Sequence, residues 1–147
     1  MQINELNHRP QWLRLFAMCE ERELENMVAE FDLAADAKLI SGPQTGIVTV
    51  RGRISGHGQR FNVGDACVTR AKVLYKNNTV GMATVLGGHG RRAYLVALLD
   101  AVMTAKPSQA LLTVVEQTAV RLQHRLECRQ QKTAGSKVDF MTMVRGD

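Results

Sequence analysis

Glycine beside arginine recurs along this chain, and that pairing suits anion contact. Gly58-Gln59-Arg60 and Thr69-Arg70 flank one glycine-rich stretch, and Gly88-His89-Gly90-Arg91-Arg92-Ala93 stands before a helical pattern. Guanidinium groups are planar and donate in pairs, which matches carboxylate or phosphate oxygens. Glycine-rich backbone at a helix N-terminus offers free N–H donors, so the Arg91-Arg92 turn could hold a phosphate. As a dinucleotide fingerprint the same turn is weak. No parallel strand follows it, and no acidic strand end appears at the required distance. Arg121, Arg125 and Arg129 form an i, i+4, i+8 row, read either as a solvated basic face or as a contact for an acidic partner or phosphate.

Self-contained catalysis is harder to assemble. No Gly-Lys-Ser/Thr phosphate loop and no nucleophile-elbow Gly-x-Ser-x-Gly occurs. His8, His57, His89 and His124 have no metal-ligand spacing to each other or to a cysteine. His57 beside Arg60 could serve acid–base work, but a loop histidine with no orienting partner is ordinarily just solvated. Asp65, Asp100 and Asp139 could meet in space, which spacing alone does not decide. No catalytic residue and no metal site is therefore assigned.

The chain has 147 residues, 45% hydrophobic and 22% charged, which predicts one globular domain. No apolar run approaches the ~20 residues of a membrane span, and the N-terminal residues lack the apolar core of a signal peptide. The three cysteines, Cys19, Cys67 and Cys128, are widely spaced. They read as reduced, mostly buried thiols of a cytoplasmic protein. The net charge of +5 suits an acidic or phosphate-rich partner, but aromatic residues are only 5%, a poor supply for stacking bases.

The positioning elements follow from periodicity. Trp12, Leu15, Phe16, Cys19, Leu24, Met27, Val28 and Phe31 predict an amphipathic helix over 10–31, with Glu20, Glu21, Glu23 and Glu25 as a solvated face. Lys38 to Ile40 predicts a short strand stopped by Ser41-Gly42-Pro43. Gly46 to Ser55 alternates, placing Val48, Val50 and Ile54 opposite Thr49, Arg51 and Arg53. Residues 56–71 read as a loop and turn, with Phe61 buried, feeding a strand over Ala66 to Tyr75. A third strand runs from Val80 to Leu86, and tight connections make the strands an antiparallel meander. Leu95, Leu98, Leu99 and Val102 mark the buried face of a helix with Asp100 turned away, ended at Pro107. A last helix covers about 108–131, with Leu111, Val115, Leu122 and Leu126 as its stripe. The expected fold is α+β: an antiparallel meander of three to four strands with an N-terminal helix and two C-terminal helices packed on it.

Four blocks resemble one family. Gly58-Gln59-Arg60-Phe61-Asn62-Val63-Gly64-Asp65 with Val68-Thr69-Arg70, then Gly81 after a strand, then Ala97-Leu98-Leu99-Asp100-Ala101, and finally Val138 to Asp147 are similar in type and order to PhnG chains. PhnG is a subunit of the carbon–phosphorus lyase system of phosphonate breakdown. At the Gly87 to Tyr94 turn this chain departs from the family pattern: no arginine follows Gly87, and Arg92 and Tyr94 stand where a histidine and a glutamate are usual. The resemblance implies an accessory subunit in a core complex with PhnH, PhnI and PhnJ. With PhnL, the PhnG, PhnH and PhnI subunits convert MgATP and a phosphonate to ribose 1-phosphonate 5-triphosphate, releasing adenine. The nucleosidase step is attributed to PhnI, and the carbon–phosphorus cleavage to PhnJ with its iron–sulfur cluster and S-adenosylmethionine. This chain would bind no cofactor itself and would be a homodimer within the complex. Gln59, Arg60, Arg70, Arg91, Arg92 and Arg145 are the candidate partner or phosphate contacts. The tail from Val138 to Val144 is expected to dock. The alternative reading is a free-standing nucleotide- or nucleic-acid-binding module.

Overall fold

A computed structural model describes residues 8–134. Arg145, Asp139 and the Val138–Val144 tail lie outside the described residues. The elements run in the order α1 (Arg9–Met18), α2 (Glu21–Glu30), β1 (Ala37–Arg53), β2 (Arg60–Tyr75), β3 (Thr79–Leu86), α3 (Gly90–Thr104) and α4 (Gln109–Ala134). The strands form an antiparallel meander in the order β1-β2-β3, as the tight connections predict.

The expected single N-terminal helix is two. Cys19 and Glu20 are extended, with ψ of 152° and 149°. At 100° per residue, the stripe Trp12, Leu15, Phe16, Cys19 and the stripe Leu24, Met27, Val28, Phe31 would differ by about 120° on one helix. A break lets both face the core. The Glu20 N–H donates to the Glu23 carboxylate at 3.0 Å, which starts α2 with half of a capping box.

Helix α3 is the centre of the body. Every residue from Leu95 to Met103 is buried. The sheet closes one side of it through Ala71, Val73, Tyr75, Ala83 and Val85, while α1, α2 and α4 supply Leu15, Phe16, Leu24, Leu111 and Val115 to the same core. Gly81, inside β3, allows the closest approach. A Cβ there would stand 2.0 Å from the Ala97 carbonyl oxygen and 2.4 Å from the Ala101 nitrogen. Only glycine fits that crossing.

The two strands expected at 38–40 and 46–55 are one. Register shifts at Leu39/Ser41 and Ser41/Gln44 absorb the Ser41-Gly42-Pro43 interruption as bulges, with Gly42 at φ 83° and the Gly42–Pro43 bond cis. The glycine-rich stretch is likewise mostly strand: β2 begins at Arg60, and only the 54–59 turn is left as loop. Strands β1 and β2 therefore run on together beyond the body as a hairpin arm. Leu126, expected in the buried stripe of α4, is exposed, because α4 continues past the core.

Candidate functional site

The most highly connected polar group is Asp100, wholly buried although the helical pattern turned it away. Arg9 embraces it with two donors, Nε to Oδ1 at 3.0 Å and Nη2 to Oδ2 at 2.6 Å. Trp12 Nε1 donates to Oδ1 at 3.0 Å, and the Met82 backbone N–H donates to Oδ2 at 2.9 Å. One carboxylate thus joins α1, α3 and the outer edge of β3. A buried charge is tolerated when paired and fully hydrogen-bonded, and these donors meet that condition. The bond to Asp100 holds the Arg9 guanidinium above its ordinary pKa, against the opposing effect of partial burial. Every lone-pair direction that points at a donor serves cohesion, so Asp100 reads as an architectural knot. An acidic residue in the middle of the run Ala97 to Met103 was the sequence sign of it.

Arg91 and Arg92 are used within the chain. Arg91 pairs with Glu25, with Glu21 at 4.0 Å, and this pairing raises its pKa, chiefly through the Glu25 hydrogen bond. Arg92 Nη2 donates to the carbonyls of Ala17 and, at 2.7 Å, Cys19. It caps the C-terminus of α1, where free carbonyls and the helix dipole favour a cation. Arg125 of the basic row bridges to Glu20 at 3.1 Å and Glu23 at 3.2 Å. The glutamate run is therefore a set of cross-helix partners and not simply a solvated face. Arg121 donates to Thr118 Oγ1 at 2.9 Å. With His124, Cys128, Arg129 and Lys132, these arginines line an open groove of about 490 Å³ on α4.

The cysteines divide. Cys19 is buried, and desolvation first, with Glu23 second, pushes its thiol up to about 12. Cys67 is exposed and Cys128 half-buried, so the expectation of mostly buried thiols holds for Cys19 alone. Asp65 lies out on the arm, accepting from Thr49 Oγ1 at 2.8 Å, far from buried Asp100; those carboxylates do not meet. Among the described residues His57 Nδ1 has only the Ser55 carbonyl oxygen, 3.4 Å away.

Gln59, Arg60 and Arg70 are exposed, and among the described residues neither arginine has an ion-pair partner. Arg60 sits at the arm's tip, directly opposite Arg53 in register. Like charges across a strand pair oppose folding, and no carboxylate among the described residues pairs with either. Arg70 stands about 30 Å along the same strand at ~3.3 Å per residue, beside a small groove with Gln44, Thr45 and Ile47. The candidates thus occupy separate places and do not converge on one pocket. Thr69, next to Arg70, is instead structural: its hydroxyl donates to the Gly87 carbonyl at 2.7 Å and lies 3.0 Å from Thr45 Oγ1.

The arm carries the surface that residue types did not reveal. Phe61, expected inside, is 47% exposed, and Ile47 and Val63 are 74% and 61% exposed. A Cβ on Gly52 would touch Val63 Cγ2 at 2.9 Å and the Phe61 ring at 3.3 Å, so Phe61 and Val63 gather around Gly52, on the face of Val48 and Val50, while Ile47 lies on the other face. The register shift at Val50/Arg51 puts the extra residue, Val63, in β2 and brings both Phe61 and Val63 to that face. The opposite face is polar, with Thr49 bonded to Asp65 and Arg51 Nε donating to Asn62 Oδ1 at 3.2 Å.

An α+β body with an uncovered amphipathic arm is the build of a protein that associates. Comparison with known proteins gives the family. The model of the family "Phosphonate metabolism protein PhnG" matches residues 7–146. The protein named alpha-D-ribose 1-methylphosphonate 5-triphosphate synthase subunit PhnG, from Rhizobium meliloti (strain 1021), is 37% identical over 140 residues, 95% of this chain and 90% of that protein. The chain belongs to the PhnG family.

Among the described residues no helix is long and apolar enough to cross a membrane, and no cluster of three or more His, Cys, Asp or Glu is placed to hold a metal.

Proposed function

We propose that this chain is an accessory subunit of the carbon–phosphorus lyase system. It acts in the cytoplasm with PhnH-, PhnI- and PhnL-type subunits to convert MgATP and an alkylphosphonate to ribose 1-alkylphosphonate 5-triphosphate plus adenine. It takes its place as a homodimer in a core that also holds a PhnJ-type subunit, whose iron–sulfur cluster and S-adenosylmethionine serve the later cleavage. The relative from Rhizobium meliloti, a named synthase subunit matched over nearly the whole chain, supports this reading. The observation that carries it is the arm: exposed Val50, Phe61 and Val63 on one face of a projecting hairpin, with Ile54 exposed in its end turn, a patch of the kind that marks association. Arg60 and Arg70, unpaired among the described residues, are its candidate contacts for a partner carboxylate or a substrate phosphate. Gln59 adjoins them, and Arg91 and Arg92 contribute by fixing the helices.

The test is adenine release from MgATP and methylphosphonate by the reconstituted subunits. Release that requires this chain, with no turnover by the chain alone, is the expected result. Equal rates with and without it overturn the subunit role.

A further inference from the structure

The sheet has one covered face and one bare face. Ala71, Val73, Tyr75, Gly81, Ala83 and Val85 turn toward α3. Their alternates turn away, and Arg70, Lys72, Val80, Met82, Thr84 and Leu86 among them are exposed, while Val68 is buried. That second face runs unbroken from the body to the arm's tip, through Val80, Leu86, Val48, Val50, Phe61 and Val63. Strand β1 alone has 17 residues, about 50 Å at ~3.3 Å per residue, and two paired strands are about 10 Å wide. With β3 added, the footprint approaches that of a standard interface, about 800 Å² on each side.

The charges on this face choose its occupant. Arg70 and Lys72 alternate with the buried residues of β2, and Lys38 pairs with Leu74 of the same set, so all three share the bare face. No Asp or Glu of β1, β2 or β3 stands there; Asp65 belongs to the polar face with Thr49. None of these cations has an ion-pair partner among the described residues. Packing a second copy face to face would set cations against cations. An apolar surface that carries carboxylates opposite the body strands fits instead.

We infer that the bare sheet face, from Val80 and Leu86 out to Phe61 and Val63, is the docking surface for a different polypeptide, apolar where it meets the arm and acidic where it meets Arg70 and Lys72. This rests on the subunit reading and adds which face is used and what chemistry it meets. The arm lays its apolar side on the partner, and Lys38, Arg70 and Lys72, on the body end of the same face, meet the partner's carboxylates.

The experiment co-expresses the full chain with PhnH- and PhnI-type subunits and measures how much is retained on a tagged partner. Val50→Asp with Phe61→Asp breaks the apolar side; Thr49→Lys, on the polar side opposite Asp65, is the control. Wild type and Thr49→Lys are expected to be retained alike, and the double variant at least tenfold less, with thermal melting of the isolated chain unchanged. Equal retention of all three overturns the face and leaves the subunit reading standing. If the double variant fails to fold, Arg70→Glu with Lys72→Glu takes its place, and undiminished retention of that variant overturns the proposal. A wild-type chain that forms a dimer by light scattering, abolished by either pair of substitutions, assigns the face to a second copy and overturns the acidic partner. A wild-type chain not retained at all overturns the subunit reading, and this inference with it.

Discussion

Helix α3 and the β1–β2 arm draw on the same apolar residue types and meet opposite fates. In α3 every side chain from Leu95 to Met103 is buried, and even the one charge is enclosed and satisfied. In the arm Ile47, Val50, Phe61 and Val63 stand in water around a ladder that is closed only by its own strands. Burial of apolar area stabilises a fold at about 25 cal/mol per Å². The body has used that term within the chain, and the arm has not; on the proposed reading it is released on association. Stability and recognition are therefore carried by different residues, and substitutions should separate them.

The sharpest break falls on Asp100. Asp100→Ala leaves the Trp12 and Met82 donors without an acceptor and Arg9 without its carboxylate. A loss of about 3 kcal/mol is expected, a fall of about 10 °C in melting temperature for a chain of this size. Phe61→Ser, in the arm, should stay within about 0.5 kcal/mol of wild type in the isolated chain. A comparable fall for both would erase the distinction between body and arm.

Gly81→Ala comes next. The added methyl meets backbone at 2.0 Å, so α3 must lift from the sheet, at about 2 kcal/mol by analogy with overpacked cores. Chemical denaturation reads it directly. Gly64→Ala, on the arm with open space around the Cβ position, is expected to change little.

Cys19 contrasts the regions through pH. Its folded pKa of about 12 lies above its ordinary value of 9.0. Burial thus favours the protonated thiol in the folded chain, and this contribution is complete below pH 9. As pH rises from 9 toward 12 the unfolded chain ionises first, and the stability is lost. Cys19→Ala should flatten the alkaline limb of the stability curve and leave neutral pH aside from a packing change. In the folded chain a thiol reagent should label exposed Cys67 and spare Cys19.

Arg125→Ala should matter least. Glu20 is largely solvated and Arg125 about half so, although Glu23 is mostly covered, and such surface pairs contribute about 1 kcal/mol or less, fading with salt. Thermal melts at low and high salt would show it.

The pattern of alternation in 46–55 was enough to sort Val48 and Val50 from Thr49 and Arg51, because a strand's faces follow from its period alone. The same period says nothing of what covers a face, which is why Phe61 read as buried. The phase slip between Cys19 and Leu24 did encode the helix break, whereas spacing taken piecewise hid it. Asp100 was misplaced because polarity was equated with exposure; its donors come from Arg9, Trp12 and Met82, remote in sequence. Arg91, Arg92 and Arg125 looked free for the same reason. Their partners, on α1 and α2, are brought close only by the packing of helices.

The most direct test of this division is amide hydrogen exchange on the chain alone and assembled with a PhnI-type subunit. Amides of α3 and β3 should be protected in both states, and those of 46–64 should exchange quickly alone and slow markedly on assembly. An arm whose exchange is the same in both states would contradict the account.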